Sequence, residues 1–360
     1  MVFSLLLLYT VNIPLIMPII IMNKTVVWQN NATQSSQSTT REEVTTGHST
    51  DIVQAHLDGH CWGAEQGKPI ITFMPSGRLG NRLCEYAHLF IIHKTFNVSA
   101  AIHPQMLDSF QDMFSHLSLK PMKKRCLDEL QKARTYYPRV WKSLKVTGIK
   151  KSLMFYGTPC KALYIWNNRK LWREELQLSQ RMKDLSVVRV RKLISGWRRL
   201  HNTSSSATEQ VTTVGVHVRR GDYARLLTNL KALHILPPSY YHDAFQYYRD
   251  RFGKVVFLVL TEPGQRSWCE HNLTRNNTDV IVVNDGGSAN EDLSMLGTLR
   301  HIIYSHGTFG LWGIFLGHTQ TVVYPNQTIS ETLGKFAHHK DFDKIRLSSS
   351  EIEFISIPVK

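Results

Sequence analysis

The stretch TTVGVHVRRGDY, residues 212–223, decides the fold. Its first seven residues are β-branched and apolar apart from Gly215 and His217, as a strand buried on both faces requires. The run then ends in two arginines, a glycine and an aspartate. Side chains alternate along a strand, so His217 and Arg219 are expected on one face, and Val216, Val218 and Arg220 on the other. An arginine at the carboxyl edge of a buried strand suits a pyrophosphate, because its planar fork donates paired hydrogen bonds and keeps its charge. Gly221 permits a sharp exit, and Asp222 is expected to bind substrate or to steady Arg220. The plainer alternative is a strand end carrying a solvated Arg–Asp pair.

Further strands follow on the C-terminal side. KVVFLVL (254–260), DVIVV (279–283), RHIIY (300–304) and TVVY (321–324) are short apolar runs of the same kind. Helical stretches over 239–251, 290–299 and 308–317 separate several of them. Strands alternating with helices predict a parallel sheet covered on both faces, whose ligands bind outside the carboxyl ends of the strands. On the N-terminal side, a short strand over 69–74 leads through Gly77 and Gly80 into a helix over 81–95, and 98–102 reads as a second strand. A helical pattern runs over 172–199, and the polar segment 201–210 marks a boundary.

Two further segments carry chemistry. PSGRLGNRLCEYAHL (75–89) places backbone N–H groups and Asn81 at a helix start, a ready anion site, with Arg78 beside it. Its glycine spacing is not that of a dinucleotide fingerprint, and an ordinary strand-to-helix turn is the alternative. NEDLSMLGTLRHIIYSHGTFGLWG (290–313) opens a helix with Glu291 and Asp292. It continues through a strand into Ser305, His306, Gly307, Thr308 and Phe309 at a second helix start, where phosphate can be held. Trp312 is read as core. Gly63 to Lys68 is not a P-loop, since the glycine spacing is one short and Pro69 stands where a hydroxyl should bind magnesium. Asp341-Phe342-Asp343 has a D-x-D form but lies away from a strand edge, so no metal site is expected.

Composition bounds the rest. The chain has 360 residues, 42% of them hydrophobic and 20% charged, enough for one large or two medium domains. A net charge of +15 favours an anionic partner: nucleic acid, a membrane or a phosphorylated small molecule. Residues 1–22 are apolar and uncharged, long enough for a membrane-spanning signal-anchor, with a cleaved signal peptide as the alternative. Residues 23–65 are rich in Ser and Thr and read as a stem. Sequons begin at Asn23, Asn31, Asn97, Asn202, Asn272, Asn276 and Asn326, which favours a luminal or secreted chain over a nucleic-acid binder. The cysteines are Cys61, Cys84, Cys126, Cys160 and Cys269, an odd number, so at least one is free or pairs outside the chain.

The segments GRLGN followed by EYA, GVHVRRGDY, the acidic pair with its helix, and GTFG-x-W, in that order, resemble the galactoside 2-α-L-fucosyltransferases. YGTPC (156–160) and WCE-x-N (268–272) are smaller echoes. The resemblance implies a GT-B-like α/β architecture, two Rossmann-like domains with a cleft between them. The expected division is 66–205 for an acceptor-side domain, 206–345 for a donor domain and 346–360 for a tail. It implies GDP-β-L-fucose as donor, a galactose-terminated glycan as acceptor, inversion, no metal, and a Golgi membrane location with the catalytic part in the lumen. Arg219, His217 and Asp222 are then the catalytic candidates. Arg220, Asp292, Ser305, Thr308 and Phe309 are expected to bind the donor, and Arg78, Asn81 and Glu85 to line the acceptor side of the cleft. Asp222, Glu85 and His217 are all candidates for the general base. A luminal fucosyltransferase of another linkage, or a degenerate glycan-binding protein of the same fold, remain the alternatives.

Overall fold

The computed structural model describes residues 69–132, 134–137, 147–201, 211–224, 235–326 and 339–359. The leader, the stem and Asn202 lie outside them. Among the described residues no helix is long and apolar enough to cross a membrane.

Two parallel sheets organise the chain. The first holds β1 (Ile70–Phe73), β2 (Ser99–Ala100), β3 (Thr135–Tyr136) and β4 (Leu153–Tyr156) in the order β2-β1-β4-β3. The second holds β5 (Thr212–Val218), β6 (Val255–Thr261), β7 (Val280–Val282), β8 (His301–Ile303), β9 (Thr321–Asn326) and β10 (Glu353–Pro358) in the order β10-β9-β8-β5-β6-β7. β5 lies inside the second sheet, paired with β6 from Thr212↔Val255 to Val218↔Thr261 and with β8 from Val214↔His301 to Val216↔Ile303. Residues 214–218 are all buried, which is why the run is apolar on both faces. The chain order reverses between β8 and β5. The strand ends there flank the crevice where ligands of open parallel sheets bind.

The helices used below are α1 (Leu79–Phe96), α2 (Ala162–Asn167), α3 (Gln180–Leu200), α4 (Pro238–Phe252), α5 (Ala289–Thr298), α6 (Gly307–Phe315) and α7 (His339–Ser348). α5 opens on a capping box in which Ser288 accepts from the Glu291 N–H and the Glu291 carboxylate accepts from the Ser288 N–H. The helical pattern expected over 172–199 breaks. A four-residue helix ends at Trp172, and α3 starts afresh at Ser179, whose hydroxyl accepts from the Met182 N–H. Between them Leu178 forms an isolated bridge with Phe114, a tertiary contact that the local pattern could not announce.

One apolar cluster crosses the expected division at 205/206, and a second lies wholly on its C-terminal side. α1 and α6 are buried on most of their surface and pack against each other, so the sheets share one apolar cluster. Trp172 meets Trp312 edge-on at 5.3 Å, and Trp166 meets Phe315 at 5.4 Å. α3, assigned by sequence to the acceptor side, packs on α5 of the second sheet. α7 returns to α2 beside the first sheet. Residues 346–360 are not a free tail: β10 pairs in parallel with β9 over six residues and buries Phe354.

Cys84 and Cys160 form a disulfide that ties α1 to the loop after β4, and Cys126 is also disulfide-bonded. Cys269 is a buried free thiol, which burial pushes up to about 12 and so keeps unreactive.

Candidate active site

The segments singled out in the sequence meet at the crevice between β5 and β8. The backbone N–H of Arg219 donates to Ser305 Oγ at 3.0 Å, and Ser305 Oγ lies 3.2 Å from His217 Nδ1. His217 is buried with its ring stacked on Phe309 at 5.4 Å between centroids. Burial, then the Arg219 charge, pushes its pKa down to about 3, so the imidazole is neutral across the physiological range. Trp312 is fully buried, as expected for core.

The guanidinium of Arg219 sits over the Tyr223 ring, 5.0 Å from its centroid, and is ion-paired to Asp222 and to Glu262. Arg220 points elsewhere. It stacks 3.6 Å above the Trp268 ring and donates to the Leu236 carbonyl at 3.1 Å. The expected split of the two arginines is therefore present. Two details are corrected. Asp222 steadies Arg219 rather than Arg220, and Arg220 is engaged in packing away from the crevice. β5 ends at Val218 and residues 221–224 form a helical turn, so a spacing of three brings Arg219 and Asp222 together where strand alternation would not.

The first sheet reaches the same place. Thr308 Oγ1, at the start of α6, donates to Asn81 Oδ1 at 2.8 Å, near the start of α1. Gly80 makes this approach possible, since a Cβ there would lie 2.6 Å from Thr308 Oγ1 and 2.7 Å from the Phe309 backbone N. Arg78 is exposed and reaches Glu262 at 3.6 Å and Asp222 at 3.9 Å. Two arginines and two carboxylates thus face one another across the crevice, beside two helix N-termini.

Glu85 is placed differently from its expected role. It is fully buried beneath the turn, where it accepts from the Ser76 N–H at 3.1 Å and the Ser76 hydroxyl at 2.6 Å. Ser76 in turn meets Thr158 at 3.0 Å. Burial raises the Glu85 pKa to about 8 against these hydrogen bonds. Glu85 holds the Gly77 turn and does not line the cleft. Asp292 is reached by Arg189 of α3, whose guanidinium also forks onto Asp285 with contacts of 2.9 and 2.7 Å. Arg189 holds the Asp285 carboxyl below the usual range, whereas burial pushes Asp292 up.

Glu262, Arg189 and Asp285 lie outside the motifs, and Tyr223, the last residue of one, carried no expected role. Glu262 and Asp285 each follow closely on a strand, the position the sheet rule marks out. Arg189 carries no local signal, because its partners are about a hundred positions away in the chain. Asp341 and Asp343 are engaged structurally: Asp341 accepts from the Leu163 N–H at 3.1 Å, and Asp343 accepts from the Tyr324 hydroxyl. Among the described residues no group of His, Cys, Asp or Glu side chains is arranged to hold a metal ion. Of the sequons, Asn97, Asn276 and Asn326 are exposed. The amide nitrogen of Asn272, which a glycan would occupy, donates instead to the Trp268 carbonyl at 2.8 Å.

A parallel-sheet protein with paired arginines and two helix N-termini at its switch point has the equipment of a transferase that works on phosphorylated donors. The chain belongs to glycosyl transferase family 11, whose model matches residues 50–344. Galactoside alpha-(1,2)-fucosyltransferase 2 of Pongo pygmaeus is 27% identical over 280 residues, covering 75% of this chain and 76% of that protein. Galactoside alpha-(1,2)-fucosyltransferase 1 of Ateles belzebuth is 30% identical over 264 residues, covering 72% and 69%. Among solved structures, a variant of Arabidopsis thaliana FUT1 in complex with GDP is similar at a TM-score of 0.45 with 13% identity, covering 77% of this chain and 75% of that one. POFUT1 in complex with GDP gives a TM-score of 0.45 with 10% identity, covering 72% and 99%.

Proposed function

We propose that this enzyme transfers L-fucose from GDP-β-L-fucose to the 2-hydroxyl of a terminal galactoside, with inversion and without a metal. The observation that carries the proposal is the meeting of Arg219, Ser305 and Thr308 at the switch point, opposite Arg78 and Asn81, in a chain of this family. The bond from the fucose anomeric carbon to the β-phosphate oxygen breaks as the bond to the acceptor oxygen forms. The acceptor proton leaves to a base or to water, and GDP departs with the electron pair. Arg219 contacts the β-phosphate through the N–H donors its carboxylates leave over, and stabilises the charge that grows there. The positive charge is thus supplied by protein, the work a metal does in other transferases. The N–H groups at the start of α6 and the Thr308 hydroxyl add donors.

Of the three base candidates, Asp222 alone is open to the crevice, with a side chain 47% exposed. His217 and Glu85 are buried, and their contacts fit positioning. His217, neutral and packed on Phe309, sets the Ser305 hydroxyl that accepts from the Arg219 backbone. Asp292 with Asp285 forms the acidic edge suited to guanine N–H groups. The galactoside enters from the Arg78 and Asn81 side. A Golgi-luminal setting, with the N-terminal segment as anchor, fits the Cys84–Cys160 disulfide. The test is to offer the purified protein GDP-fucose with a panel of galactosides and determine the product linkage. Transfer to another hydroxyl, or none, overturns the proposal.

A further inference from the structure

The carboxyl end of the first sheet carries a group of side chains that the donor chemistry does not use. Side chains alternate between the two faces of this sheet. Phe73 and Phe155 pack into the large cluster shared with α1. Met154 and Met74 pack on the opposite face with Met122 and Leu130, beside the helix Lys124–Gln131. Tyr156 follows Met154 by two and so lies on that second face, at the last position of β4. Met154 is 2% exposed and Tyr156 is 38% exposed, so the face opens to solvent at this end. Tyr136 ends β3, the edge strand, and stands opposite Tyr156 in register. The two rings meet at 5.2 Å between centroids. Arg134 is exposed and holds its guanidinium 5.5 Å from the centre of the Tyr156 ring. It meets that ring and the Met74 thioether, where a carboxylate would be its usual partner. The Ser76–Thr158 hydrogen bond of 3.0 Å joins the chain just past Met74 to the chain just past Tyr156, and Arg78 follows Ser76. This aromatic and basic pad therefore adjoins the lip of the crevice, on the side proposed for the galactoside.

The chemistry of the pad says what it fits. Two neighbouring tyrosine rings offer a firm apolar surface with a polar rim, which suits the C–H face of a pyranose. A guanidinium at their edge is a planar fork for a carboxylate or a sulfate. The distribution of charge agrees. Residues 120–151 hold eleven Lys or Arg and two Asp or Glu, which is +9 of the chain's net +15. The phosphates of the donor do not account for this excess, because Arg219 and Arg78 come from other segments. A field of this sign draws anionic ligands toward the first sheet. We infer that the sugar next to the acceptor galactose is acidic, stacked on Tyr136 and Tyr156 with its carboxylate or sulfate on Arg134. The enzyme then prefers acidic galactosides to neutral ones. The identity of the transferred sugar and of the accepting galactose rests on the fucosyltransferase reading.

A surface role, in which Arg134 only packs on Tyr156, makes a different prediction. Fucose transfer by the full-length protein is measured with three acceptors. These are N-acetyllactosamine, the same disaccharide sulfated on the 6-hydroxyl of its N-acetylglucosamine, and galactosyl-glucuronic acid. Wild type should show a KM for at least one acidic acceptor about 10-fold or more below that of the neutral one, as a charged hydrogen bond requires. Which acidic acceptor gains tells sulfate from carboxylate. The gain should lie in KM and not in kcat, since the contact is the same before and during transfer. Arg134→Ala and Arg134→Gln should each reduce the ratio to about threefold or less. Tyr156→Ala should raise KM for all three acceptors. Arg199→Ala, which removes an exposed charge from α3, should leave the ratio in place. Should one Arg134 variant fail to fold, the other and the wild-type ratio decide. Equal wild-type KM values, a ratio that survives in the Arg134 variants, or one that falls alike in Arg199→Ala overturns this inference alone. Equal KM values together with sedimentation on phosphatidylserine vesicles would assign the basic segment to an anionic membrane instead. No transfer to any of the three overturns the fucosyltransferase reading, and this inference with it.

Discussion

Thr308 Oγ1 donates a 2.8 Å hydrogen bond to Asn81 Oδ1, joining the first turns of two helices that follow strands of different sheets. The bond ties the two helix N-termini at the crevice, in addition to the packing of α1 against α6. Asn81→Ala should leave the Thr308 hydroxyl half-buried without its acceptor, lowering stability by about 1–2 kcal/mol. In a double-mutant cycle with Thr308→Val, denaturant midpoints should show a coupling of about 0.5–1.5 kcal/mol. Strict additivity would mean the two helix starts are positioned by other contacts.

Arg219→Ala should cost on the order of 3 kcal/mol of transition-state stabilisation, about two orders of magnitude in kcat/KM. Arg220→Lys should fall between that and Trp312→Phe. Lysine loses the planar stack on Trp268 at 3.6 Å, so its defect should show in the melting temperature as well as in turnover. Steady-state kinetics on variants with native circular dichroism check the order. Near-normal turnover in Arg219→Ala would place the phosphate contact elsewhere.

Transfer should survive EDTA, and manganese should not raise it. Asp341→Asn should alter stability through the contact with Leu163 and leave turnover per folded enzyme close to wild type. A loss restored by manganese, and abolished in Asp341→Asn, would show that a metal takes part.

Glu85 gives a pH dependence of stability with a definite sign. Its folded pKa is raised from 4.5 to about 8 by burial, so the unfolded chain sheds this proton first as pH rises. The favourable contribution is complete below about pH 4.5 and is lost progressively up to about pH 8, a change on the order of a few kcal/mol. Glu85→Gln lacks the titration. Urea midpoints of the two proteins between pH 5 and 9 should therefore shift in favour of the variant as pH rises. Parallel curves would mean that Glu85 is already ionised at pH 5.

The sequence shows most plainly what is local. The run over 212–218 displays a buried strand because β5 is covered on both faces, and the helix start at Thr308 is where the pattern puts it. Alternation failed only past Val218, where the strand had ended and a helical spacing took over for Asp222. The Arg189 fork on Asp285 and Asp292 is tertiary, made by a helix that the chain pattern assigns to the other half. β10 was not legible, since its buried residues Phe354 and Ile357 stand three apart instead of two, and its partner β9 lies beyond an intervening helix. Glu262 is a single carboxylate without a motif, and only its place after β6 distinguishes it.

The shared core has a consequence for how this enzyme can diversify. Trp166 and Trp172, in the half that holds the first sheet, are packed into Trp312 and Phe315 of α6, the helix whose first turn lies at the crevice. Prising the halves apart would expose these rings, each worth roughly 1.5–3 kcal/mol or more when buried. Opening the molecule along this seam would therefore carry the cost of wetting these rings. The halves are also not interchangeable modules. Grafting a whole foreign first half would bring the wrong knobs to the Trp312 socket, whereas the loops at the strand ends can change without touching it.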